Sequence, residues 1–292
     1  MKHLVIIGLV IPEPASTAAG HRMMQLIHVF YEADYKITFL TASNNIEFSE
    51  KIEIQKIEIN NESFDAKIRN LNPDVVLFDR YVTEEQFGWR VFDNCPNAVK
   101  IIDTEDLHFL REARRKAFFE KRIVEKADFI NDVFVREIAS ILRCDLSLII
   151  SEFEYDLLVD EFKINPDLLF YIPFLTDHFE KSKIPFEERK HFVSIGNFLH
   201  EPNWQTVLNL KQIWKSIKKK LPEAELHIYG AYTSQKVLEL HNEKDGFLVK
   251  GRADSVKEIF NQAKVLLAPI PFGAGLKGKL WESMQFGLPN VT

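Results

Sequence analysis

A chain of 292 residues with 46% hydrophobic and 27% charged residues has the composition of a folded globular protein and the length of about two domains. Its net charge of −6 argues against a nucleic-acid binder, because the phosphate backbone rewards clustered Lys and Arg. Two cysteines, Cys95 and Cys144, form no CxxC pair, which excludes a zinc-ribbon or disulfide framework and predicts two reduced thiols.

The chain starts "MKHLVIIGLVIPEP". The apolar run is short and Pro12, Glu13 and Pro14 interrupt it, so it reads as a first strand and not as a leader. No stretch approaches the ~20 apolar residues of a membrane span, and the expectation is a cytoplasmic protein. Short apolar, β-branched runs then alternate with amphipathic stretches. The strands expected in the first half are 3–10, 36–42, 52–59, 74–80, 98–103, 145–151 and 168–173. Strands that are apolar nearly end to end, each followed by a helical period, predict parallel sheets covered by helices on both faces.

The alternation lapses over 174–190, which is charged and carries Pro185, and a linker is expected at 177–190. It resumes with strands at 191–198, 224–230, 246–251 and 264–270, and helices at 203–219, near 233–241 and at 254–263. One internal echo supports two similar domains: "KHLVIIGLVIPEP" from Lys2 and "KHFVSIGNFLHEP" from Lys190 share seven residue types at equal offsets. The division read from these features is an N-terminal domain over 1–176 and a second over 191–292. Two doubly wound domains of this kind are expected to face a cleft and to bind ligand at the carboxyl ends of their strands.

The last part, "PIPFGAGLKGKLWESMQFGLPNVT", reads as strand exit, glycine loop, helix and new strand. Gly273 and Gly275 allow a tight turn and close backbone approach. Lys277 and Lys279 fall at a helix entrance, where free N–H groups already favour anions, a combination suited to a diphosphate. Glu282 is placed to accept hydrogen bonds from a diol such as a ribose, and Gly287 ends the helix.

This stretch resembles the donor-binding signature of family 4 glycosyltransferases, retaining enzymes of the GT-B fold, in the bacterial subgroup whose motif runs GxGxKxKxxE. The resemblance extends to "SIGNFLHEPNWQTVLNL" (194–210), "VKGRADSVKEIFNQAKVLLAPI" (249–270) and, in the first half, "IPEPASTAAGHRMMQLI" (11–27), "DVVLFDRYVTEEQFGWRV" (75–91) and "IIDTEDLHFLREAR" (101–114). It implies a GT-B architecture of two Rossmann-like domains and transfer of a hexose from a nucleotide diphosphate sugar, without an obligatory metal. The acceptor it implies is a saccharide, a lipid-linked saccharide or a protein in bacterial polysaccharide biosynthesis.

Carried over residue by residue, Glu282 corresponds to the ribose-binding glutamate of the family, while the position of its usual partner glutamate holds Ala274. Near Gly196 the family's arginine and lysine are replaced by Asn197 and Pro202, leaving Lys277 and Lys279 to meet the diphosphate, with Lys279 also counted among the catalytic groups. Gly20 falls where such enzymes bring a small residue close to donor phosphate and acceptor, and Arg22 and Asp103 are acceptor-side candidates. Asp106 and His108, in "DTEDLH" after a strand end, are candidates for acceptor binding or proton handling. The alternatives are that Asp106 caps the helix from Leu107 and that His108 is a surface histidine. The helix 107–122 carries a basic face that either is solvated or makes peripheral contact with the inner face of a membrane.

The family continues for roughly 80 to 110 residues beyond the point corresponding to Thr292, so the resemblance implies an incomplete second domain. The alternatives weighed beside transfer are a catalytically incomplete nucleotide-sugar-binding fragment and a sugar-nucleotide epimerase of the same fold.

Overall fold

The computed structural model describes residues 1–14, 16–44, 52–176 and 182–292. The chain divides into two compact units. The first holds Ala19–Leu175 and the N-terminal strand, together with Ala274–Leu276; the second holds Thr176–Gly273 and Lys277–Thr292.

The first unit contains strands β1 (His3–Gly8), β2 (Lys36–Thr41), β3 (Glu53–Lys56), β4 (Val75–Asp79), β5 (Val99–Asp103), β6 (Leu146–Ile149) and β7 (Leu169–Tyr171). Its helices are α1 (Ala18–Glu32), α2 (Ser63–Leu71), α3 (Tyr81–Asn94), α4 (His108–Phe119), α5 (Asp132–Arg143) and α6 (Glu152–Asp156). All seven strands pair in parallel, in the order β3-β2-β1-β4-β5-β6-β7. The alternation of side chains along β1 explains why both faces must be covered. Val5 and Ile7 enter one buried cluster with Phe64, Phe78 and Phe87, while Leu4 and Ile6 enter another with Met23, Leu26 and Phe39. Both cysteines are free and buried, and burial raises each thiol pKa.

The second unit contains β8 (Lys190–Ile195), β9 (Leu226–Tyr229), β10 (Phe247–Gly251), β11 (Ala263–Leu267) and β12 (Asn290–Val291), with α7 (Glu201–Lys220), α8 (Gln235–Leu238), α9 (Val256–Gln262) and α10 (Gly278–Gln285). These strands are also parallel throughout, in the order β10-β9-β8-β11-β12. Counted from its own first strand, each sheet begins 3-2-1-4-5, the doubly wound order of Rossmann-like domains. The protein is an α/β protein of the GT-B class. The two copies of the Lys-His-x-Val-x-Ile-Gly echo are β1 and β8, the strands at which each sheet reverses direction of growth.

Helix α7 begins at Glu201, two residues before the helix expected from the sequence, because Pro202 is accommodated in the first turn, where its missing N–H has no helical partner to lose. Residues 177–181 of the expected linker lie outside the described residues. The described remainder is hydrogen-bonded into the second unit: Ser182 Oγ donates to Asn261 O at 2.8 Å, and Arg189 Nη1 donates to Gly287 O at 3.0 Å.

Candidate functional site

The strand order places a topological switch point between β8 and β11, where the connections leaving the two carboxyl ends run in opposite directions, the usual address of a ligand in such sheets. Both loops are built around glycine. A Cβ on Gly196, at the exit of β8, would lie 2.7 Å from the Asn203 side chain. Gly230, at the exit of β9, is packed still more tightly: a Cβ there would lie 2.3 Å from Gly196 O. Asn197 shapes the turn after β8: its Oδ1 accepts from Leu199 N–H at 2.9 Å and its carbonyl accepts from Asn203 Nδ2 at 2.9 Å. Asn197 thus spends its side chain on the loop itself.

After β11 the chain passes through Gly273, at φ +157°, and reaches Lys277, the N-cap of α10. A Cβ on Gly273 would meet Lys277 Nζ at 2.6 Å, so the glycine makes room for that ammonium group. Lys279 donates to Asn203 Oδ1 at 2.8 Å. Asn203 therefore links the first turn of α7 to the first turn of α10 within one unit. Burial, with Lys277 beside it, pushes the Lys279 pKa down to about 7. Burial alone pushes the Glu282 carboxyl up to about 7, and no ion pair joins the two among the described residues. The lysine and the glutamate, three positions apart on α10, are thus both brought toward neutrality.

The first unit holds the other candidates. Gly20 packs against the chain before α1: a Cβ there would lie 2.5 Å from the Glu13 backbone, so only glycine fits. Arg22 is 2% exposed and Asp103 fully buried; Arg22 Nε donates to both Asp103 oxygens at 2.9 and 3.1 Å, and Nη1 donates to Ile172 O at 2.7 Å. Burial raises the Asp103 pKa against the opposing pull of Arg22. The remaining Arg22 nitrogen, Nη2, is buried without a hydrogen-bond partner among the described residues.

Asp106 and His108 flank the start of α4. Both Asp106 oxygens accept from Arg111 Nη1 at 2.8 Å. His108 Nδ1 faces two acceptors, Asp106 O at 3.0 Å and Glu137 Oε1 at 3.1 Å, so a hydrogen on Nδ1 has a partner on the protein. Its ring stands edge-on to Tyr81 with centroids 5.2 Å apart. His108 is thus anchored on three sides and is no ordinary surface histidine. Asp106 does not cap α4. The N-cap is Leu107, and the free amides are taken from afar: Glu154 Oε1 accepts from Leu107 N–H at 3.2 Å, and Glu137 accepts from His108 and Phe109 N–H at 3.1 and 3.0 Å. The same Glu154 oxygen accepts from Gly275 N–H at 2.6 Å. Gly275 requires glycine twice over, by its φ of +63° and by the 2.7 Å that would separate a Cβ from Asp106 Cβ. Ala274, at the position of the family's missing glutamate, is 3% exposed and packs with Leu107 and Phe109.

Sequence reasoning passed over four of these residues: Asn203, Glu137, Glu154 and Arg80. Arg80 follows β4 at φ +72° and reaches Glu105, itself at φ +59°, with Nε 2.7 Å from Glu105 Oε2. Two strained non-glycine residues paired at strand ends are a signal available only in three dimensions. The expected basic face of α4 is largely neutralised where it is described. Arg115 pairs with Glu112 at 3.4 Å, Arg122 pairs with Glu120 and Asp128, and Leu107, Leu110, Ala113 and Ala117 are buried. No helix among the described residues is long and apolar enough to cross a membrane.

Residues 189–292 match the family described as glycosyl transferases group 1. Among solved structures, the chain is similar to sucrose-phosphate synthase from Thermosynechococcus elongatus, with a TM-score of 0.73 at 15% identity, covering 99% of this chain and 80% of that one. It is similar to the pneumococcal O-GlcNAc transferase GtfA, crystallised with UDP and GlcNAc, with a TM-score of 0.72 at 15% identity over 99% and 83% of the two chains. TarM of S. aureus, crystallised with UDP, gives a TM-score of 0.73 at 10% identity over 99% and 85%. No curated protein matched in the sequence search.

Proposed function

We propose that the protein is a glycosyltransferase of family 4 character that transfers a hexose, with retention, from a nucleotide diphosphate sugar. The observation that carries this reading is the β11–α10 loop: two glycines at positive φ, two lysines at a helix entrance and Glu282 on its second turn, within the segment matching the group 1 glycosyltransferases. The diphosphate is the leaving group. Lys277, Lys279 and the α10 amides oppose the charge that develops on it, so their interaction is stronger in the transition state than with the bound donor. Glu282 accepts from the ribose hydroxyls. Gly196 and Asn197 border the donor. No metal is needed for this stabilisation.

On the acceptor side, His108 Nε2 and Asp106 bind and orient a saccharide, a lipid-linked saccharide or a protein, while the buried Arg22–Asp103 pair fixes α1 against the end of β5. The exposed part of the basic face of α4 provides peripheral contact with the inner face of a membrane when the acceptor is lipid-linked.

UDP-sugars are the first donors to try, since two similar structures hold UDP. In calorimetric titrations, Lys279→Met is expected to weaken UDP-sugar binding by about tenfold or more, the loss of roughly one charge-assisted hydrogen bond. Glu282→Gln is expected to weaken it by a smaller factor. Unaltered affinity in both variants, or no binding of UDP-, GDP- or ADP-sugars at all, rejects the donor assignment. Appearance of a free sugar epimer without any acceptor would replace transfer by epimerisation.

A further inference from the structure

At the amino-terminal ends of two interior strands of the second sheet, β8 and β9, three donor atoms converge, away from the glycine loops. Glu225 precedes β9 and His227 is its second residue. Two positions apart on an extended chain, they share a face. β8 runs beside β9 with Phe192 opposite Leu226, which sets His191 level with Glu225 on the same face. His227 Nε2 lies 2.9 Å and His191 Nδ1 3.1 Å from one and the same oxygen, Glu225 Oε2. All the donor atoms fall within 4.8 Å of one another. The two imidazole rings stack, with centroids 4.0 Å apart and planes inclined by 21°.

We propose that His191, Glu225 and His227 form a binding site for a divalent transition-metal ion of the zinc class, which clips β8 to β9. Two imidazole nitrogens and a carboxylate oxygen are donors that zinc accepts, with remaining positions filled by water. An ion ~2.0–2.1 Å from each tetrahedral donor needs those donors about 3.3 Å apart. The two N···O separations here fall short of that by only a few tenths of an ångström, a spread that rotation of the partly exposed His191 and Glu225 side chains supplies. His191 takes φ +64°, a left-handed backbone that a non-glycine residue adopts only at a cost, so the local chain bears strain at a ligand.

Lys250 acts on all three groups and Lys190 on His191, and both oppose a cation. They weaken the site without removing a ligand. His191 lies five residues before Gly196, about 16 Å along the strand at ~3.3 Å per residue, so the ion takes no part in the chemistry at the glycine loops. This inference departs from the expectation of no metal, because a Glu-x-His strand and a lone histidine 34 residues earlier in the chain become neighbours only through the pairing of β8 with β9.

The test is titration of the chelator-treated full chain with zinc sulfate against a chromogenic competitor, with thermal denaturation read in parallel. One equivalent is expected to bind and to raise the melting temperature in proportion to the logarithm of free zinc, as mass action on the folded state requires. His191→Ala, His227→Ala and Glu225→Gln should each weaken binding by about tenfold or more. Lys250→Ala should strengthen it by about twofold or more, a gain that misfolding does not produce. Absence of zinc binding by the natural chain overturns the proposal, as does undiminished binding in the His191→Ala, His227→Ala double variant with no gain from Lys250→Ala.

Discussion

Lys279 and Glu282 are three residues apart, yet burial drives them in opposite directions: the lysine loses its proton near neutrality and the glutamate keeps its own. A bound diphosphate would draw a proton onto Lys279, whereas ribose hydroxyls donating to Glu282 would expel one. The two linkages therefore oppose each other, and donor affinity is expected to vary little between about pH 6 and 8 in the natural chain. Glu282→Gln leaves only proton uptake, so its affinity should fall as pH rises above about 7. Lys279→Met leaves only proton release, so its affinity should rise through the same range. Calorimetry in buffers of different ionisation heats reads both signs, and identical profiles in all three proteins would remove both groups from the donor site. For stability without ligand the same shifts act together. Glu282 holds a proton in the folded state between about pH 4.5 and 7 that the unfolded chain lacks, so stability falls across that window. Lys279 lacks one between about pH 7 and 10 that the unfolded chain holds, so stability recovers above neutrality.

At the scale of the element, α4 has its N-terminus satisfied by carboxylates borrowed from α5 and α6. Glu137 is fully buried and serves two amides of the first turn. Its replacement by Ala leaves two buried donors without acceptors and a histidine ring without its anchor, and is expected to cost about 2–4 kcal/mol, measured by urea denaturation. Loss of less than about 0.5 kcal/mol would mean that water replaces the carboxylate. This arrangement also marks the limit of what the sequence discloses. Periodicity located α4 and its buried stripe, because the stripe depends on residues three and four apart. Who caps the helix depends on Glu137, some 30 residues away, and nothing local distinguishes that glutamate from a solvated one. The same holds for Asn203. Its neighbour Pro202 is conspicuous in the sequence, but its hydrogen bond to Lys279 spans 76 residues. The glycines were legible for the opposite reason: Gly273 and Gly275 announce a backbone that other residues adopt only with strain.

Across the whole molecule, one strand order serves both units, and the sequence shows why it was readable. Continuous apolar strands such as Leu4–Ile7 and Val75–Phe78 need cover on two faces, and only helices returning between parallel strands supply it. The division into units makes one more demand on the energetics. Trp214 is 1% exposed, donates Nε1–H to Asp245 O at 2.6 Å, and packs with Leu226, Ile228 and Phe247 wholly inside the second unit. Trp214→Ala should remove about 3–5 kcal/mol from that unit. If the units unfold separately, hydrogen exchange will accelerate on β8 to β11 while the amides of β1, β4 and β5 keep their protection, because their own clusters draw on no residue of α7. Equal loss of protection in both sheets would instead show that the chain unfolds as a single cooperative body.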